Sequence, residues 1–348
     1  MPPGPRRRLV AALCSAEAVI GVAILSVFAG LHDGSVSASS EHEHAAAASA
    51  SRTLATGSAP HITVDDRVAR VLVTAWDASS VQIDDHASHG RVAPLSIEQS
   101  GNEISIVRPS GEHRWLFHHH SRVTLVLHVP RAARMSIRHS NGATLHGINA
   151  PVSVRASNGR IEVVDHDGDI DATTSNAVIA FENVRAGSAS ARTSNGSVSF
   201  ENVRAARALA RTSNASIELD RLRTGALDAQ TSNANVHATG VTIDGTGASG
   251  TVATSNAEIA FSGTLGSSGG YRFSSSNGDI HLVLPRNADL TIDAKAQRGG
   301  IAASEGVAFS GDARDPHRVA RLGDGRAPVM VATSNASVIV RTDALLNE

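Results

Sequence analysis

One cysteine, Cys14, and one lysine, Lys295, stand in a chain of 348 residues. A lone cysteine excludes an intrachain disulfide, a thiol-based zinc site and dithiol redox chemistry. With lysine almost missing, arginine carries the positive charge. Thirty-one basic against 33 acidic residues leave a formal net charge of -2, which removes any general electrostatic case for nucleic acid as a partner. Aromatics make up only 3% of the chain while apolar residues make up 41%. Ala, Val, Ile and Leu therefore carry the core, and a thick core built around large rings is excluded. The sequence holds no Ser-His-Asp set, no phosphate-cradling glycine loop before a helix and no zinc-protease motif. No enzymatic activity, cofactor or resident metal is called for.

The N-terminus reads as an export segment. Arg6, Arg7 and Arg8 precede a mostly apolar stretch from Leu9 to Leu31, long enough for the roughly 20 residues that cross a bilayer. The basic flank before it, with Asp33, Glu41 and Glu43 after it, orients the remainder outward. Glu17 shortens the uncharged run, and Val36-Ser37-Ala38 offers small residues for cleavage, so residues 1–34 form either a single transmembrane helix or a cleaved signal. Both readings place the chain at or beyond a bacterial cell envelope, with the membrane as its first partner. Residues 35–60, rich in Ala and Ser, read as a flexible spacer too poor in branched apolar residues to build a core.

What the sequence does have is a repeat. Ser-Asn-Gly or Ser-Asn-Ala occurs nine times, at Asn141, Asn158, Asn176, Asn195, Asn214, Asn233, Asn256, Asn277 and Asn335. The spacing is close to 19 residues until the last interval of 58, which reads as about three units with decayed motifs, one of them marked by Gly299-Gly300-Ile301. Four residues before each asparagine the column is wholly apolar, from Ile137 and Val154 to Phe273 and Val331. Three and five after it the column is again mostly apolar, as in Ile179 with Phe181 and Val198 with Phe200. Residues two apart share a face only in a strand. Each unit is thus strand, asparagine corner, strand, corner.

A tight hairpin would need positive φ at both central residues. Ala177, Ala215, Ala234, Ala257 and Ala336 oppose that, so the corner is read as an arc in which the asparagine alone has unusual backbone. A propeller would alternate odd and even units, and no alternation occurs. The expectation is an all-β fold, a parallel β-solenoid with coils of about 19 residues over 136–342. Asparagines would stack up its axis at about 4.8 Å, giving a rod of about 50 Å between Asn141 and Asn335. Residues 61–135 alternate in short runs and read as an N-terminal β-module or capping coils, since an open coil is an open sheet edge.

The Thr-Ser-Asn-Gly repeats, with the preceding strand Arg122 to Pro130, resemble the bacterial putative-adhesin family of β-strand repeat proteins over about Ile62 to Val340. The resemblance implies an exported or membrane-anchored β-helical solenoid with an adhesin-like binding or scaffold role, and it carries no catalytic residues.

Among side chains, Arg138, Arg155, Arg192 and Arg211 stand three residues before their asparagines, on the outward face, and form a candidate binding stripe for an anionic envelope polysaccharide or a surface protein. Glu182, Glu201 and Asp220 share one column at a spacing that a retaining glycosidase would also use. Arg185, Arg204 and Arg223, three residues further on, point instead to an ion-pair ladder. The acidic stretch from Asp165 to Asp171 reads as a solvated corner, with oxygen ligands for Ca²⁺ as the alternative, and of His113, His118, His119, His120 and His128 strand alternation lets at most some converge on zinc or copper. An envelope-linked regulatory protein and a polysaccharide-cleaving β-helix enzyme are the alternatives to a binding rod.

Overall fold

The computed structural model describes residues 48–87, 93–109, 123–304 and 306–343. Residues 1–34 and His113 to His120 lie outside them. The described residues form twenty-six strands and no helix, so none that could cross a membrane. The alternation read from the sequence is the burial pattern: in the strand Val198–Arg211, Val198, Phe200 and Val203 are buried while Ser199 and Glu201 face outward.

Successive units pair in parallel at the offset of the repeat. Ile179–Arg192 lies beside Val198–Arg211, with Ile179 opposite Val198, Phe181 opposite Phe200 and Ala191 opposite Ala210. Identical columns therefore stack on themselves. Phe181 and Phe200 stack at 4.9 Å between centroids, while the small Ala172, Ala191, Ala210 and Ala229 keep the opposite wall thin. One core runs from Ile62 to Val340. The all-β, solenoid-like architecture follows directly from this in-register stacking.

The asparagine ladder exists as hydrogen bonds. The Asn195 amide donates to Asn176 Oδ1 at 2.7 Å and Asn214 donates to Asn195 at 2.7 Å. The same bond joins every step from Asn158 to Asn335. Asn141 stays outside it: the register shifts beside Arg155 and Ala156, and no bond links it to Asn158. At the far end Arg298 donates to Asn335 and closes the ladder.

The asparagines do not, however, carry the unusual backbone. Apart from His139, two residues before Asn141, the left-handed non-glycine residues among those described lie at the opposite corner, where Asp165, Asn183, Asn202 and Arg221 have φ between 51° and 55°. Asparagine is selected at the first corner because its amide both donates and accepts, which a ladder requires. Beneath it, the hydroxyls of Thr193, Thr212 and Thr231 turn inward and donate to the carbonyls of Ala177, Gly196 and Ala215. Gly196 is needed for closeness, since a Cβ there would lie 1.7 Å from the Ala177 carbonyl oxygen. Asn195→Ala removes two ladder bonds and no backbone tolerance. It should cost about 1–2 kcal/mol in urea unfolding, and Ser194→Ala on the exposed neighbouring column much less. Equal losses would mean that the ladder contributes nothing.

The ends differ from the sequence expectation. His61–Asp65 pairs in parallel with both Glu103–Val107 and Arg134–Ser140, and Ala69–Trp76 with both Val123–Pro130 and Ala143–His146. The first coil is thus sandwiched between the second and third, and the described strands between His61 and Pro130 continue the stack. At the other end Ala327–Thr333 lies between Gly270–Ser275 and Leu290–Ala296, and Val338–Asp343 between Ile280–Pro285 and Ile301–Ala303. The 58-residue interval therefore adds no steps between Asn277 and Asn335, which bond directly at 2.6 Å. Its residues form the coil beyond. Eight steps from Asn141 to Asn335 at about 4.8 Å give about 38 Å, not 50.

Antiparallel strands cover the outermost coils. Ala48–Ala55 pairs with Ser80–Ala87, Ser96–Ser100 with Glu103–Val107, and Leu290–Ala296 with His317–Leu322. The spacer reading of 35–60 is corrected over Ala48–Ala55, because a strand held by backbone pairing needs no branched apolar residues. At the N-terminal end the Arg108 side chain is buried. Its Nε donates to Asp66 at 2.8 Å, and two further nitrogens grip Asp85 at 2.7 and 3.2 Å. Asp66 also accepts the Val68 and Ala69 backbone amides.

Candidate functional site

Strand alternation turns the residues three before the asparagine outward, and register puts them in one row. Arg138 lies opposite Arg155, Arg155 opposite Thr173, Thr173 opposite Arg192, Arg192 opposite Arg211, and Arg211 opposite Gln230. All four guanidiniums are exposed. The row is real, but its charge is largely balanced from the adjacent column. Asp171 sits between Arg155 and Arg192, at 3.6 and 3.0 Å, and Asp228 pairs with Arg211. Arg138 alone has no ion-pair partner among the described residues. Asp171 and Asp228 stand two residues before Thr173 and Gln230, the members of the row that are not arginine, and so share its face.

Two concavities flank this row. One, of about 650 Å³, runs from His61 and Arg134 past Ser153 and Asp171 to Arg192. The other, of about 600 Å³, runs from Arg192 past Arg211 and Gln230 along serine and threonine rows to Ser276. Arg192 lines both, so the two concavities adjoin at its side chain and together form a trough across successive coils, mixed in its first half and polar in its second. Exposed Ser213, Ser232, Ser255 and Ser276 present a hydroxyl at each coil of its second half.

The acid column also stacks, Glu182 opposite Glu201 and Glu201 opposite Asp220. Its expected partners do not serve it. Arg221, swung out by its left-handed backbone, reaches Glu201 at 2.7 Å and Asp220 at 2.9 Å. Arg223 pairs with Asp244 at 2.6 Å, and Arg185 and Arg204 make no ion pair. The column is periodic, with no acid set apart in a cleft. In the acidic stretch, Asp165 accepts from Asn183 at 3.0 Å and lies 3.1 Å from His146, Asp169 accepts the Ser188 amide, and Asp171 holds its two arginines. No cluster of three or more metal-ligating side chains occurs among the described residues. His128 stacks on Trp76 at 5.5 Å.

Sequence reasoning missed His166. It is 2% exposed and occupies a core column with Val184 opposite it, and neither ring nitrogen has a hydrogen-bond partner. Burial pushes its pKa below the usual 6.5; the nearby backbone groups of Ile148, Asp169 and Gly168 and the charge of Asp167 act against this, but none of those groups meets the ring nitrogens with hydrogen-bond geometry.

An all-β, solenoid-like stack with repeating outward rows of polar side chains defines the class of protein. The chain matches the Toastrack DUF4097 family over residues 60–340 and belongs to it. Among solved structures it is similar to a putative adhesin from Parabacteroides merdae (11% identity, 86% of this chain and 97% of that one, TM-score 0.38). It is also similar to a putative cell adhesion protein from Clostridium sporogenes (7% identity, 86% and 100%, TM-score 0.25). A third is a putative adhesin from Bacteroides fragilis (12% identity, 85% and 97%, TM-score 0.25). No curated protein matches the chain.

Proposed function

We propose that the chain is a non-enzymatic, adhesin-like binding rod of the bacterial cell envelope. Residues 1–34 tether or export it, and its trough holds an extended, anionic envelope polysaccharide. The observation that carries this reading is that the two concavities adjoin at Arg192, along the stacked arginine row. A ligand lying along the stack meets the same donors and acceptors at each coil, so weak contacts add up over length. Asp171 and Asp228 moderate the charge, which favours a hydroxyl-rich polymer with spaced carboxylates over a densely charged one. Arginine forks accept such carboxylates while the serine rows meet the hydroxyls.

The test is co-sedimentation of the full-length chain with an acidic and a neutral polysaccharide. Changing Arg192 and Arg211 together to Gln should weaken binding to the acidic polymer by about tenfold, with the fold intact because neither side chain enters the core. A single exposed substitution changes little. A parent chain that binds neither polymer, or a double variant that binds like the parent, overturns the proposal.

A further inference from the structure

Besides Arg138, two neighbouring guanidiniums left without a carboxylate lie at the other corner of the coil. Arg185 stands opposite Arg204, and Arg204 opposite Arg223. Arg223 is neutralised by Asp244, whereas Arg185 and Arg204 are exposed and have no ion-pair or hydrogen-bond partner among the described residues. Arg204 therefore has a guanidinium on each side, and Arg207, three residues on, is likewise exposed and unpaired. Like charges one strand spacing apart, about 4.8 Å, repel unless an anion lies between them. Arg185 and Arg204 line a concavity of about 440 Å³, together with Asn183 and Asn202. Its acids lie at one end. Asp165 is engaged by Asn183 and His146, and Asp167 is in register with Arg185 but makes no ion pair with it.

We infer that this concavity is a second binding site, separate from the trough, for a phosphate group. A carboxylate is satisfied by one arginine fork, as Asp85 is by Arg108. A phosphate carries up to two charges and three acceptor oxygens, so it can bridge Arg185 and Arg204 at once and relieve their repulsion. Arg204, farther from Asp167 and flanked by cations, carries most of the attraction.

The experiment titrates the full-length chain with inorganic pyrophosphate at low ionic strength, followed by phosphorus NMR and by the arginine side-chain resonances. A second arm uses phosphatidylcholine vesicles with and without phosphatidic acid, which separates a lipid phosphate from a soluble one. Saturable binding in either arm, weakened about tenfold when Arg185 and Arg204 are both changed to Gln and unchanged when Arg192 and Arg211 are, supports the site. Arg204→Lys keeps the charge without the fork and should fall between. Absence of binding in both arms overturns the inference, as does binding that survives the Arg185/Arg204 change or that glucuronate matches at equal concentration. Because the trough variant is scored in parallel, failure here leaves the polysaccharide reading standing.

Discussion

Changing Arg108 to Met should destabilise the protein by about 3–5 kcal/mol, the largest single-residue loss expected anywhere in the chain. The reason is the partner left behind. Asp66 is fully buried, and Asp85 is largely buried. Without Arg108, Asp66 keeps only the Val68 and Ala69 amides to offset a buried negative charge. Desolvation works against the charged guanidinium, but its bonds to Asp85 and Asp66, and their charges, outweigh it and raise its pKa. Arg108 thus stays charged wherever the fold persists. Arg108 also donates to the Ala93 carbonyl at 2.6 Å, so one side chain joins segments around residues 66, 85 and 93. Urea unfolding checks the value. A loss below about 1 kcal/mol would show that the site rehydrates, whereas partial recovery on adding Asp66→Asn would show that the uncompensated charge was the cost.

His166→Val should stabilise the protein by about 1–3 kcal/mol and flatten its response to acid. The imidazole stands in a column where the next two coils place Val184 and Val203, and both its nitrogens are unpaired. Valine fits the column and removes the buried polar atoms. The pH dependence has a definite sign. The folded-state pKa is lowered from 6.5, so below that value the unfolded chain takes up a proton that the folded chain refuses. Stability is therefore lost as pH falls from about 6.5 toward the folded pKa, by at most about 1.4 kcal/mol per pH unit. Melting temperatures from pH 7.5 to 5 should show the parent falling more steeply than the variant. Parallel curves would mean that the ring is charged or hydrated in the folded state.

In a parallel stack of equal coils, a column in the sequence is a column in space, so the asparagine row, the apolar walls and the arginine row were all legible from spacing alone. Features that leave the repeat were not. The 58-residue interval looked like lost repeats because sequence order was taken for stacking order, and only pairing shows that Asn335 rests on Asn277. The contribution of Arg221 was hidden because a left-handed backbone redirects its side chain out of the column logic. The Arg108 cluster joins residues up to 42 apart outside the repeat, where no periodicity connects them. Ala48–Ala55 has a composition that argues against burial, and it is held by its backbone at an edge.

The sandwiching of the first and last coils bears on how the chain can be made. In a simple stack, each coil can settle on the one completed before it, in the order of synthesis. Here Ile62 and Val64 meet Met135 and Ile137 on one side and Ile104 and Ile106 on the other. The first coil to emerge therefore stays open on one side until more than seventy further residues have followed. The last coil must enter between two neighbours that precede it in the chain. The middle coils, with their local offsets, are the natural nucleus, and both ends are sealed afterward by contacts between distant segments. A chain truncated before residue 327 would lose more than a terminal coil, because the segment Leu290–Ala296 would have no parallel seat against Gly270–Ser275 without the strand that lies between them.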